Sequence, residues 1–161
     1  MTLRFEFEFF LSLLLVLFMN GVEYTVLFVF AATVHEVGHF FALWCLKIKK
    51  AEFTLGLMGA RISADMKSLS YKKEFFVYVS GALFNFLAAS GTLLFLSERF
   101  DMRAMFFFLC NVFLALVNLL PVSNLDGGYA LECLLLLVFD PCQSFFIMRW
   151  LSFFITAMLS L

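Results

Sequence analysis

The sequence predicts an all-α polytopic membrane protein of about six transmembrane helices, with a short β-hairpin-like or re-entrant loop after the second. Two observations predict it. Of the 161 residues 64% are hydrophobic and only 14% are charged, with a mean hydropathy of +1.01, which excludes a soluble globular domain. The charges are gathered between long apolar runs, and a run of about 20 apolar residues is what a hydrocarbon core of roughly 30 Å demands of a helix. Spans and short connections use up the length, so residues 1–161 read as one transmembrane domain.

Span one runs from Phe5 to Met19 and turns at Asn20-Gly21. Its opening resembles a secretion signal, but Glu6, Glu8 and the missing small-residue cleavage site predict a retained helix. Span two runs from Glu23 to Leu46. A basic stretch from Lys47 to Tyr71 follows. Of eleven Lys and Arg, seven lie between Lys47 and Lys73 (Lys47, Lys49, Lys50, Arg61, Lys67, Lys72 and Lys73), an excess that marks the cytoplasmic side. Within it, AEFTLGLMGARIS (Ala51–Ser63) mixes short apolar and polar runs around Gly56 and Gly59, which predicts two short strands at a glycine turn, lying at the membrane surface or dipping into it.

Span three, Phe75 to Ser97, carries no charge, and Glu98, Arg99, Asp101 and Arg103 mark the turn on the opposite side. Span four extends from Ala104 to Leu120 and stops at Pro121. The irregular segment PVSNLDGG leads to an apolar stretch from Tyr129 to Phe139, a turn at Asp140-Pro141 and a last span from Cys142 to Leu161. With the basic loop inside, both termini fall in the cytoplasm. Cys45, Cys110, Cys133 and Cys142 show no CxxC spacing and read as small packing residues.

The chemistry is concentrated in span two. The only two histidines of the chain, His35 and His39, are four residues apart with Glu36 beside the first. On a helix, positions i and i+4 share a face, so both imidazoles reach one metal ion. An ionisable cluster in hydrocarbon is costly and marks a functional site. His35-Glu36-Val37-Gly38-His39 is the HExxH pattern of two zinc ligands and a general base; Glu36, about 100° around the helix from His35, is placed to activate water. A catalytic zinc takes a third protein ligand. Asp126, Glu132, Cys45, Cys110 and Cys133 are the candidates at membrane depth. Asp126 stands out, because Pro121 interrupts the helix before it, Gly127-Gly128 loosen the backbone after it, and broken backbone at that depth must line protein or a wet cavity.

HExxH at 35–39, with Asn118-Leu119-Leu120-Pro121 followed by Asp126-Gly127, resembles the site-2 protease family of intramembrane zinc metalloproteases, which pairs HExxH with NxxPxxxxDG. Gly81 and Asn85 resemble that family's GxxxN element. The resemblance covers roughly residues 22–130 and is nearest to the compact branch that includes a sporulation protease acting on a sigma-factor precursor. It implies one Zn2+ per chain held by His35, His39 and Asp126, with Glu36 activating water. It also implies that Asn118 and Asn85 orient substrate near the scissile bond, and that Ala51–Ser63 aligns an extended substrate by strand addition. Tyr129 stands where many relatives carry a basic residue.

The implied activity is regulated intramembrane proteolysis: hydrolysis of a peptide bond in or near the membrane segment of a membrane-associated protein, such as a transcription-factor precursor or anti-sigma-type protein. The expected setting is a bacterial cell membrane, with the active site toward the cytoplasm. The expected partners are that substrate, the lipid bilayer and a regulatory membrane protein, with no nucleic acid. The rivals are a zinc transporter or sensor, which needs a second metal site along its path, and an inactive scaffold, which has no use for Glu36.

Overall fold

The computed structural model describes residues 2–5, 7–48, 51–56, 59–64 and 69–159, with side-chain surroundings for 21–48 and 69–158. Its elements are β1 (Thr2–Phe5), α1 (Phe7–Cys45), β2 (Ala51–Gly56), β3 (Gly59–Ala64), α2 (Tyr71–Glu98), α3 (Met102–Asn118), α4 (Asp126–Leu135) and α5 (Pro141–Leu159). Lys49, Lys50 and Lys67 of the basic stretch, and residues 57–58 of the expected glycine turn, lie outside the described residues.

The 39 residues of α1 contain one non-helical position, Gly21, with φ 78° and ψ 172°. A straight helix of that length would reach roughly 58 Å at 1.5 Å per residue. Yet β1, before α1, pairs in parallel with β2, after it, with Thr2 opposite Glu52 and Phe5 opposite Leu55. Both ends of α1 therefore meet in one sheet, and the helix must double back at Gly21. The two arms of this hairpin cover the expected first and second spans, and the second, Gly21–Cys45, is long and apolar enough to cross a membrane. β2 also pairs antiparallel with β3, Gly56 opposite Gly59, so the sheet order is β1-β2-β3. The strand β1 lies outside an all-α expectation: TLRF carries no strand signal until a distant segment supplies its partner.

The second arm of α1 and α3 run parallel, since Glu23 meets Arg103 at 2.6 Å and Phe30 stacks on Phe107 at 5.4 Å between ring centroids. α2 runs antiparallel to both. Asp101 starts α3 by accepting from the N–H groups of Arg103 (2.8 Å) and Ala104 (3.1 Å). α4 is also antiparallel to α2, with its start at the level of Gly81 and Cys133 beside Glu74. At ten residues, about 15 Å, α4 is too short to cross a membrane. It continues in the direction of α3 after the break at Pro121, so it is not the separate crossing that the count of six spans requires. α5 then turns back along α4, with Ser152 Oγ accepting from the Ser123 N–H at 3.1 Å. This is a second correction: the described ends of the chain lie at opposite ends of the helix bundle, not on one side.

The packing is inverted relative to a soluble domain. Positions 31, 35, 38, 39 and 42 of α1 form a buried stripe of Ala31, His35, Gly38, His39 and Ala42. It faces Val77, Ser80, Gly81, Ala82 and Asn85 of α2. Small and polar side chains fill the interior, while Val26, Phe30, Phe40, Trp44, Leu87, Leu94 and Phe153 point outward. Small residues at helix crossings and large apolar residues outside are the arrangement for lipid. Gly21–Cys45 and Tyr71–Glu98 are long and apolar enough to cross a membrane, and α3 is a shorter apolar helix. This is the surface of a membrane protein.

Candidate metal centre

The site sits where α1, α2 and α4 meet. Asp126 is the first residue of α4, delivered by a loop that α3 cannot continue into because Pro121 has no N–H to offer. Gly127 and Gly128 do not loosen the backbone. They are helical residues pressed against the carbonyls of Leu119 and Val122, where no side chain fits. These contacts fold the loop down over α4 and hold the Asp126 carboxylate against α1.

Asp126 Oδ2 lies 2.9 Å from His35 Nε2 and 3.1 Å from His39 Nε2, and the two nitrogens are 3.2 Å apart. All three side chains are nearly sealed, with 6% exposure for His35, 2% for His39 and 13% for Asp126. Three electron-rich atoms thus converge from residues 87 and 91 positions apart in sequence. Among the described residues these three form the one group of His, Cys, Asp or Glu whose ligand atoms could share an ion.

The donor set fits zinc. Adjacent corners of a tetrahedron with bonds of about 2.0 Å are about 3.3 Å apart, close to the separations found. Both rings are also turned for it. His39 Nδ1 donates to the Val77 carbonyl at 2.8 Å, and His35 Nδ1 lies 2.6 Å from Asn85 Oδ1. A histidine that gives its Nδ1–H to an oxygen keeps the Nε2 lone pair for a metal. Gly81 provides the floor. A Cβ there would lie 2.7 Å from His35 Nε2 and closer still to His39 Nε2, so any side chain would occupy the metal's own space.

No family model matches the sequence, and no curated protein matches it. Among solved structures, the site-2 protease from Methanocaldococcus jannaschii is similar, with a TM-score of 0.71 and 22% identity over 91% of this chain and 72% of that one. The fold is that of a site-2 protease. On this site-2 protease fold the HExxH helix and the Asp126 segment face each other across the Gly81 face of α2.

Glu36, half-buried, follows His35 in α1 and stands one helical turn before His39. Asn85 does not line the open side of the cluster. It is fully buried behind His35, donating from Nδ2 to the Ala31 carbonyl (3.0 Å) and to Asn111 Oδ1 (2.8 Å). Asn118 Nδ2 turns back onto its own helix, donating to the Leu114 carbonyl at 3.0 Å. The other ligand candidates stand apart: Cys133 Sγ donates to Glu74 at 3.7 Å, Cys110 is buried in α3, Cys45 is exposed, and Glu132 lines a separate cavity of about 510 Å³ with Arg149 and Ser152. Asn111 is absent from the residues that motif spacing singles out. Its only sequence signal is an amide in the middle of the apolar run Ala104–Leu120.

Proposed function

We propose that the chain is an intramembrane zinc metalloprotease that hydrolyses a peptide bond in or near a membrane-spanning segment. The observation that carries this reading is the triangle of His35 Nε2, His39 Nε2 and Asp126 Oδ2, sealed in apolar helices beside Glu36. The likeness in fold to a site-2 protease supports it. His35, His39 and Asp126 would hold the zinc, which would supply Lewis acidity for polarising a carbonyl and for making water acidic near neutral pH. Glu36 takes the proton from the attacking water and delivers it to the leaving nitrogen, so the peptide gains one water and splits into acid and amine. The Asp126 carboxylate anchors α4 to α1, and the apolar walls keep bulk water from the reacting groups.

A helical substrate hides its carbonyls in its own hydrogen bonds and must enter extended. The β1-β2-β3 sheet has the backbone edge that an extended chain needs, and we assign it the alignment of substrate. His39 lies about 9 Å from the sheet end of α1, six residues before Cys45, and the basic residues after that end support its assignment to the cytoplasmic face. Transport and scaffold readings are not favoured. Among the described residues no second group could hold a metal, and neither reading uses Glu36.

The test is zinc per chain and cleavage of a single-span peptide by the detergent-purified protein. Wild type is expected to carry about one zinc and to cleave. Glu36→Gln should keep the zinc and lose at least about a hundredfold in rate, in line with removal of a general base. Asp126→Ala should lose the zinc. Wild type without zinc, or Glu36→Gln with full activity, defeats the reading.

A further inference from the structure

We infer that Asn111 is a positioning residue for the metal centre, acting from the third helix through Asn85 to set the tautomer and aim of His35. The inference rests on the metal reading above.

The argument follows the protons. At one end of the network is the Phe107 carbonyl, which can only accept. Asn111 Nδ2 is 2.8 Å from it, so the amide nitrogen of Asn111 faces Phe107 and its Oδ1 faces Asn85. At another end is the Ala31 carbonyl, again only an acceptor, 3.0 Å from Asn85 Nδ2. Both hydrogens of the Asn85 amide are then assigned, one to Ala31 and one to Asn111, and its Oδ1 is left for His35. An oxygen at 2.6 Å from His35 Nδ1 requires the proton on Nδ1. Nε2 is therefore a bare lone pair, aimed at His39 and Asp126.

Two fixed carbonyls thus dictate the direction of every hydrogen bond from α3 through α2 to α1. Asn85 and Asn111 are both 0% exposed, so no water replaces a lost partner cheaply. Without Asn111, one amide hydrogen of Asn85 has no acceptor. The amide keeps only Ala31 and His35 as partners, and relief of the unpaired hydrogen pulls its plane out of line with His35. An Asn pair of this kind often serves only to join membrane helices. Here it does something more specific, because its far end is a metal ligand.

The experiment is a double-mutant cycle on zinc affinity, read by competition with a zinc-binding dye on the full-length detergent-purified protein. Asn85→Ala and Asn111→Ala are each expected to weaken zinc binding by about 10–100-fold, the usual consequence of losing an outer partner of a ligating histidine. The double variant should bind no more weakly than Asn85→Ala alone, because Asn111 works only through Asn85. Circular dichroism of the zinc-free proteins monitors folding. Should Asn111→Ala fold poorly, Asn111→Leu fills the space while removing the amide and carries the same expectation. Undiminished zinc affinity in a well-folded Asn111 variant overturns the inference, as do losses that add in the double variant. A wild type that binds no zinc instead overturns the metal reading itself.

Discussion

Gly38 and Gly81 together set how close α1 and α2 come. A Cβ at Gly38 would lie 2.5 Å from the Ser80 carbonyl and 2.9 Å from Gly81 Cα, so the two helices cross backbone to backbone at the level of the histidines. The nitrogens of His35 and His39 then lie directly over Gly81. Gly81→Ala is expected to leave the protein helical but to reduce bound zinc below about a tenth of wild type, because the methyl would lie 2.7 Å from His35 Nε2 and closer still to His39 Nε2, forcing both rings to move. Metal analysis of the purified variant checks this, and a full complement of zinc would mean the rings do not use that face. At this scale much of the site was legible. Two histidines and a glutamate at helical spacing in an apolar run point to one face of α1, and Asp126 stands out by the Pro121 break before it, although Gly127 and Gly128 are helical rather than loose. Asn85 was legible as a site residue but not as a buried one, since its position behind His35 depends on the crossing geometry. Asn111 has no spacing signature, and its meaning comes from the α3–α2 contact.

The hairpin of α1 turns on a single residue. With φ 78° and ψ 172°, Gly21 occupies a region that only glycine visits comfortably, and nothing lies within 4 Å of the Cβ it lacks. The effect of Gly21→Ala is therefore pure backbone strain, about 1–3 kcal/mol. It should lower the melting temperature of the detergent-solubilised protein while leaving zinc stoichiometry intact; an unchanged melt would mean the turn tolerates a side chain. The Asn20-Gly21 turn and the α1 arms were legible because glycine and apolar length speak locally. The span count was not. α4 looks like a separate apolar stretch in sequence, but its direction is set by the loop folding onto Gly127 and Gly128. β1 was illegible for the same kind of reason: four residues become a strand only when β2 comes alongside.

Seen whole, the molecule wears its apolar residues on the outside. Trp44 and Trp150, the only two tryptophans, are 68% and 49% exposed. In vesicles whose acyl chains carry bromine, their fluorescence should fall by about half or more, since both rings belong to the apolar surface that lipid covers. Emission unaffected by brominated chains would contradict a lipid-facing belt. The separation of His35, His39 and Asp126 along the chain has a consequence for synthesis. His35 and His39 emerge from the ribosome early, whereas Asp126 follows 87 residues after His39. Two imidazoles alone make an incomplete zinc site. By the time the third ligand emerges, α1, α2 and α3 have all been made and are free to enter the bilayer. On the proposed reading, the site that would cleave is completed only once the three helices that surround it have been made.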